Sequence, residues 1–254
     1  MRIVVLFLAL AGLFAPHAAA EEQPLALDRL AQTLQEAASL QATATPKGLL
    51  SKRGPFDKGG YDPNKLLELF PGLSLDKGKI LDFVYDLQDL GGHPVVYARS
   101  SDQEPFAGLP EFKKAHPRRY FLGDKVRFDP AWLGSVRTEN SPDGFLRLAF
   151  LVLINEQFYI HWHAAYYVLW PIVSRVTLEA AIRMLPDDLK QKAAAIGFTP
   201  RVVMGGSEVT VEYVIFCPWE GFKRFTWTVA RTFPHRFIRI EEKVLLPYKN
   251  PIRF

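Results

Sequence analysis

The chain has 254 residues, 48% of them hydrophobic and 23% charged, with 31 Lys/Arg against 27 Asp/Glu and a formal net charge of +4. That length and hydrophobic fraction are enough for a core without covalent staples and exclude a disordered or low-complexity protein. Cys217 is the only cysteine, which excludes an intramolecular disulfide, a cysteine-based zinc finger and a thioredoxin-type pair.

Residues 1–20 read as a secretory signal peptide: Arg2 supplies the positive start, Ile3 to Leu10 the short apolar run, and Ala18-Ala19-Ala20 the small-residue cleavage site before Glu21-Glu22. The expected location is therefore secreted or periplasmic. No cysteine follows the small residues, so a lipoprotein-type anchor is not expected. A second apolar stretch, Phe145 to Val173, is interrupted by Arg147, Asn155, Glu156, Gln157, His161 and His163 before about 20 clean residues accumulate. No transmembrane helix is expected in the mature chain.

Leu27, Leu30, Leu34 and Ala37 recur at helical spacing, so residues 25–40 read as an amphipathic helix whose narrow stripe suits docking on a larger body. Residues 41–60 have the glycine, proline and charge content of a flexible linker. Residues 61–254 then read as a single α+β globular domain. Asp62-Pro63 opens a helix that stops at Pro71-Gly72. Ser74 or Asp76 is expected to cap a second helix with Ile80, Phe83, Val84, Leu87 and Leu90 on its inner face, followed by a strand at His93–Tyr97. Residues 100–123 read as a loop with one helical turn at Glu111–Ala115.

Short strands are expected at Lys125–Phe128 and Ser135–Thr138, a turn at Asp143-Gly144, and two long strands at Phe145–Ile154 and Gln157–Val168 in a sheet covered on both faces. Thr177–Leu185 and Pro186–Ile196 read as a helix pair, with Thr177 as an N-cap, Pro186 in a first turn and Gly197 as a C-cap. Glu208–Cys217, Lys223–Arg231 and Phe237–Leu245 alternate as a three-strand antiparallel meander. The fold class is α+β: N-terminal helices and a mostly antiparallel sheet, with a helix pair inserted between two groups of strands.

The stretch Phe158 to Trp170, "FYIHWHAAYYVLW", concentrates the candidate chemistry. On an extended strand His161 and His163 share a face and have the spacing to chelate one metal ion, with Glu208, Glu212, His93, His116 or His235 as a third ligand. A single His-x-His without a longer motif fits hydrogen-bonded histidines equally well. Tyr159, Trp162 and Tyr166 are the candidate ligand-binding residues, because aromatic rings with polar handles wall small-molecule pockets, although core packing produces the same composition. Asp82, Asp86 and Asp89 at i, i+4 and i+7 read as the solvated face of the expected helix. Cys217, between Phe216 and Pro218, reads as a buried inert thiol.

No phosphate-binding glycine loop, dinucleotide fingerprint, serine-nucleophile elbow or H-E-x-x-H helix occurs. From Arg201 onward nine Lys/Arg face five Asp/Glu, a basic excess suited to anionic envelope lipids or polysaccharides and equally to the wet face of a sheet. The compartment and the lack of a basic–aromatic recognition motif argue against nucleic acid. These features predict a secreted or periplasmic, non-catalytic binding protein for a small, partly apolar molecule or an envelope component. A metal-dependent hydrolase built on His161 and His163 is the alternative, and an envelope protein-interaction module is a third. Cofactor, oligomeric state and ligand identity are not legible.

Overall fold

Leu27, Leu30, Leu34 and Ala37 do lie on one face of a helix, α1 (Leu27–Ala44), and Leu30 and Ala37 are buried against the rest of the chain. The structure is a computed structural model, and it describes residues 25–44, 60–87, 91–116, 131–159, 161–162, 165–166 and 168–249. Hydrogen bonds help hold α1 in place: Ala26 N donates to Asp143 Oδ1 at 3.0 Å, Thr33 Oγ1 to the Leu69 carbonyl at 3.4 Å, and Gln41 Nε2 to the Ile154 carbonyl at 3.2 Å. α2 (Pro63–Glu68) starts as its sequence dictates, with the Asp62 carboxylate accepting from Asn64 N at 2.9 Å and proline in the first turn.

The helix expected to begin at Ser74 or Asp76 is not formed. That segment is β1 (Leu73–Leu75) and β2 (Lys79–Leu87), and β2 pairs antiparallel with β3 (Gly91–Ser100), which includes the expected strand at His93–Tyr97. Leu81, Phe83 and Val96 face the main core, whereas Val84, Val95 and Tyr97 lie under Phe112 of α3 (Leu109–Ala115). Both faces of the hairpin are covered, so apolar residues fall at both parities and imitate a helical period. Asp82 and Asp86 accordingly lie on a strand; Asp89 and the strand expected at Lys125–Phe128 fall outside the described residues.

The converse error occurs at Phe145–Ile154. The expected turn and strand are one helix, α4 (Pro142–Asn155), with Ser141 Oγ accepting from Gly144 N at 3.1 Å and Pro142 in the first turn. Every residue from Phe145 to Asn155 is buried except Arg147, whose Nη1 donates to the Pro71 carbonyl at 2.9 Å. Burial all round erases amphipathic spacing, so the run looks like a buried strand. Gly144 is required by close approach: a Cβ there would sit 2.3 Å from the Glu139 carbonyl oxygen.

The long strand expected at Gln157–Val168 is also absent. A turn through Tyr159, at φ 59°, leads to two-residue strands β5 (His161–Trp162) and β6 (Ala165–Tyr166), which extend the β2–β3 sheet in the order β2-β3-β5-β6. Gln157 meets the backbone of Leu169 on both sides, donating to its carbonyl at 3.0 Å and accepting from its N–H at 2.8 Å.

β4 (Val136–Thr138) pairs with β1 after a 3-10 turn at Ala131–Ser135. β7 (Trp170–Ile172) precedes the expected helix pair, α5 (Arg175–Arg183) and α6 (Asp187–Ala194). Ser174, not Thr177, is the N-cap; Thr177 sits three residues on and completes a reciprocal capping box. Pro186 is the cap residue of α6, and the C-cap is Ala195 rather than Gly197. β8 (Arg201–Met204) and the expected meander, β9 (Glu208–Cys217), β10 (Gly221–Ala230) and β11 (Phe237–Pro247), complete the larger sheet, in which β7 and β8 share one edge of β9. At the β9–β10 turn Gly221 has φ +93°, and a Cβ would come 2.2 Å from the Leu246 carbonyl oxygen.

One face of this sheet (Val209, Val211, Tyr213, Phe225, Trp227) joins α1, α2, α4 and the β2–β3 hairpin in the main apolar cluster. Its other face (Val214, Phe216, Phe222) packs on α5 and α6. The fold is α+β with mostly antiparallel sheets, as expected. No helix among the described residues is long and apolar enough to cross a membrane.

Candidate functional site

Three separated pieces of chain converge on an open cleft of about 420 Å³ lined by Arg137, Thr138, Asn140, Gly206, Arg231, Thr232, Phe233 and His235. β4 brings Arg137 and Thr138, the approach to α4 brings Asn140, the β8–β9 turn brings Gly206, and the β10–β11 connection brings the rest. Connections between strands are free of ladder pairing, so their side chains are available to line such a site.

The two arginines are held differently. Arg137 Nε and Nη2 both donate to Asp76 Oδ1, at 3.0 and 2.8 Å, and its guanidinium lies 3.9 Å from the Phe233 ring centroid. Its hydrogen bonds hold the Asp76 carboxyl below the usual carboxylate range. Arg231, half-buried, has only neutral acceptors among the described residues: Nε donates to Asn140 Oδ1 at 2.9 Å and Nη1 to the Gly205 carbonyl at 2.7 Å. Its backbone N–H is fixed by the Ser207 carbonyl at 2.9 Å. None of the eight lining residues is acidic.

His235 is buried beside Phe145 in an edge-to-face contact at 5.4 Å, with Nδ1 3.0 Å from the Ala230 carbonyl oxygen. A carbonyl only accepts, so Nδ1 carries a proton. The cleft thus combines guanidinium and hydroxyl donors, one imidazole and one aromatic wall.

Apart from His235, the described residues singled out in the sequence lie elsewhere. Tyr159 is 5% exposed and packs edge-to-face on Tyr61 at 5.7 Å and Phe158 at 5.1 Å, while its carbonyl accepts from the Tyr85 hydroxyl at 2.8 Å. Phe158 stacks on Tyr61 at 3.6 Å, and burial drives the Tyr61 phenol far above its ordinary pKa. His161 is registered opposite Gly92 and Tyr166, and Trp162 opposite Gly91 and Ala165; His163 is outside the described residues. Among the described residues no three His, Cys, Asp or Glu side chains are grouped to hold a metal ion. Cys217 is buried within the main core.

A second polar cluster sits on the outer face of the hairpin. Asp86 and His93 are cross-strand partners, both buried, and Lys113 Nζ of α3 approaches Asp86 Oδ2 at 3.7 Å. Burial lowers the His93 pKa, with Asp86 opposing and Lys113 reinforcing that shift. Asp82 instead pairs with Arg99 at 3.0 Å.

Of the cleft residues, only His235 stood among the sequence candidates. Arg231, Phe233 and His235 are adjacent in "RTFPH", a polar–aromatic cluster confined to a connection. That is the one local signal of the cleft, and nothing near it in sequence points to Arg137 or Asn140. The basic excess of the last third is partly neutralised within the meander, where Lys223 pairs with Glu242 at 2.9 Å and Arg239 with Glu241 at 3.4 Å.

No protein-family model, curated protein or solved structure matches the chain.

Proposed function

We propose that the protein is an exported, non-catalytic binding protein for a small, partly apolar molecule, and that the cleft between β4, the β8–β9 turn and the β10–β11 connection receives it. The observation that carries this reading is the pairing of an aromatic side chain, Phe233, with converging polar groups from three chain segments in a cleft of ligand size. The support is concave shape plus fixed polar groups. The aromatic wall is Phe233 rather than Tyr159, whose ring is enclosed by Tyr61 and Phe158.

Native mass spectrometry of the mature protein, purified gently from its own compartment, tests the reading directly. The expected result is an added organic mass that disappears in denaturing conditions and in Phe233→Leu. Retention of that mass in Phe233→Leu, with its loss in folded Trp162→Leu or Tyr166→Leu, would move the ligand to the aromatic stretch and overturn the cleft assignment. An intact mass beginning at Glu21 is expected for the exported form; a mature chain that keeps residues 1–20 would remove the export part of the proposal.

A further inference from the structure

Resting on that cleft, we infer that its ligand carries a carboxylate, a single negative charge, and that Arg231 is the group that takes it. The charge balance points this way. The charge of Arg137 is already matched by Asp76, whereas Arg231 is a half-buried cation whose partners, Asn140 and the Gly205 carbonyl, are both neutral. A guanidinium removed from water without a counter-charge is unfavourable until an anion arrives. Three of its five N–H groups have no partner among the described residues, one on Nη1 and two on Nη2. Meanwhile Nε and the backbone N–H are tied down, so the side chain is oriented before binding and loses little freedom on binding.

The same balance selects the kind of anion. One uncompensated positive charge in a lining without acidic side chains matches one negative charge, not the two of a phosphate monoester. The Phe233 ring then provides contact for an apolar or flat body attached to the carboxylate.

A two-dimensional NMR titration of the mature protein with benzoate, benzamide and inorganic phosphate separates these ideas. Benzoate is expected to shift the amides of Thr232 and Phe233 and to bind about tenfold or more tightly than either benzamide or phosphate, a margin set by charge-assisted hydrogen bonds. Arg231→Gln should bring benzoate down to the level of benzamide. Because Arg231 also ties Asn140 to Gly205, wild-type protein provides an independent readout: raising salt from about 20 mM to about 500 mM should weaken benzoate and leave benzamide unchanged. Equal binding of benzoate and benzamide, preference for phosphate, or salt-insensitive benzoate binding would overturn the carboxylate assignment while leaving the cleft as a binding site. Absence of shifts at Thr232 and Phe233 with all three compounds would overturn both.

Discussion

His93 illustrates how a single buried side chain makes stability depend on pH. Its pKa is lowered in the folded chain by burial, against an ordinary value of 6.5, so between the two values the unfolded chain binds more protons. Stability from this group is complete above about pH 6.5 and is lost as pH falls through the folded value. Urea unfolding of the mature protein is expected to show a decreasing midpoint from about pH 7 to pH 5, and His93→Gln should flatten that slope. A slope unchanged in the variant would assign the dependence to other groups. Tyr159 offers a second test at this scale. Its ring is enclosed but its backbone is left-handed, so Tyr159→Ala should cost roughly 3–5 kcal/mol through lost packing. Tyr159→Gly should cost about 1 kcal/mol less, because glycine tolerates that φ. Equal losses would show that the backbone is unstrained there.

At the scale of elements, the start of α2 and the places of the helix pair and the meander were legible. Asp62 and Pro63 begin α2 as read, the helix pair occurs where expected, and the meander needs only small shifts of its ends. The misread elements share one cause. β2 is apolar on both faces because α3 covers its outer side, and α4 is apolar all round because helices and sheet enclose it. In each case the neighbours suppressed the polar face that a periodicity argument requires. The start of α4 gives a sharp prediction. Ser174→Ala should destabilise by about 1 kcal/mol through loss of the α5 cap, whereas Gly144→Ala should cost more, roughly 2 kcal/mol or above, since backbone must shift to admit the Cβ. Denaturant midpoints of the two variants check the order, and a milder effect at Gly144 would mean that Glu139 yields easily.

For the whole molecule, α1 contributes to the same apolar cluster as α2 and α4. Its stripe is therefore occupied within the chain rather than presented to a partner. Removing residues 21–60 is expected to expose the surfaces under Leu30 and Ala37, lowering the unfolding midpoint and increasing binding of a hydrophobic dye. A truncated protein as stable as the mature one would show that α1 is an appendage. Charge is likewise handled at this scale: the acidic partners of the last third lie within the meander itself, leaving Arg231, at the cleft, with neutral neighbours.

What the sequence by itself determined is what depends on neighbours along the chain: the Asp62 cap and Pro63 that start α2, the alternation of the half-exposed β9–β11 meander, the helical stripe of α1 and the α+β class. Each of these leaves a pattern within about a dozen residues, because one face meets water and the other does not. The tertiary structure alone decided whether the doubly buried segments became strand or helix, and that Tyr159 and Phe158 pack inward on Tyr61. It also decided the cleft, whose residues run from Arg137 to His235 and meet only after β1 pairs with β4 and β10 turns into β11. Long-range pairing leaves no local period, and a binding surface assembled from connections inherits none.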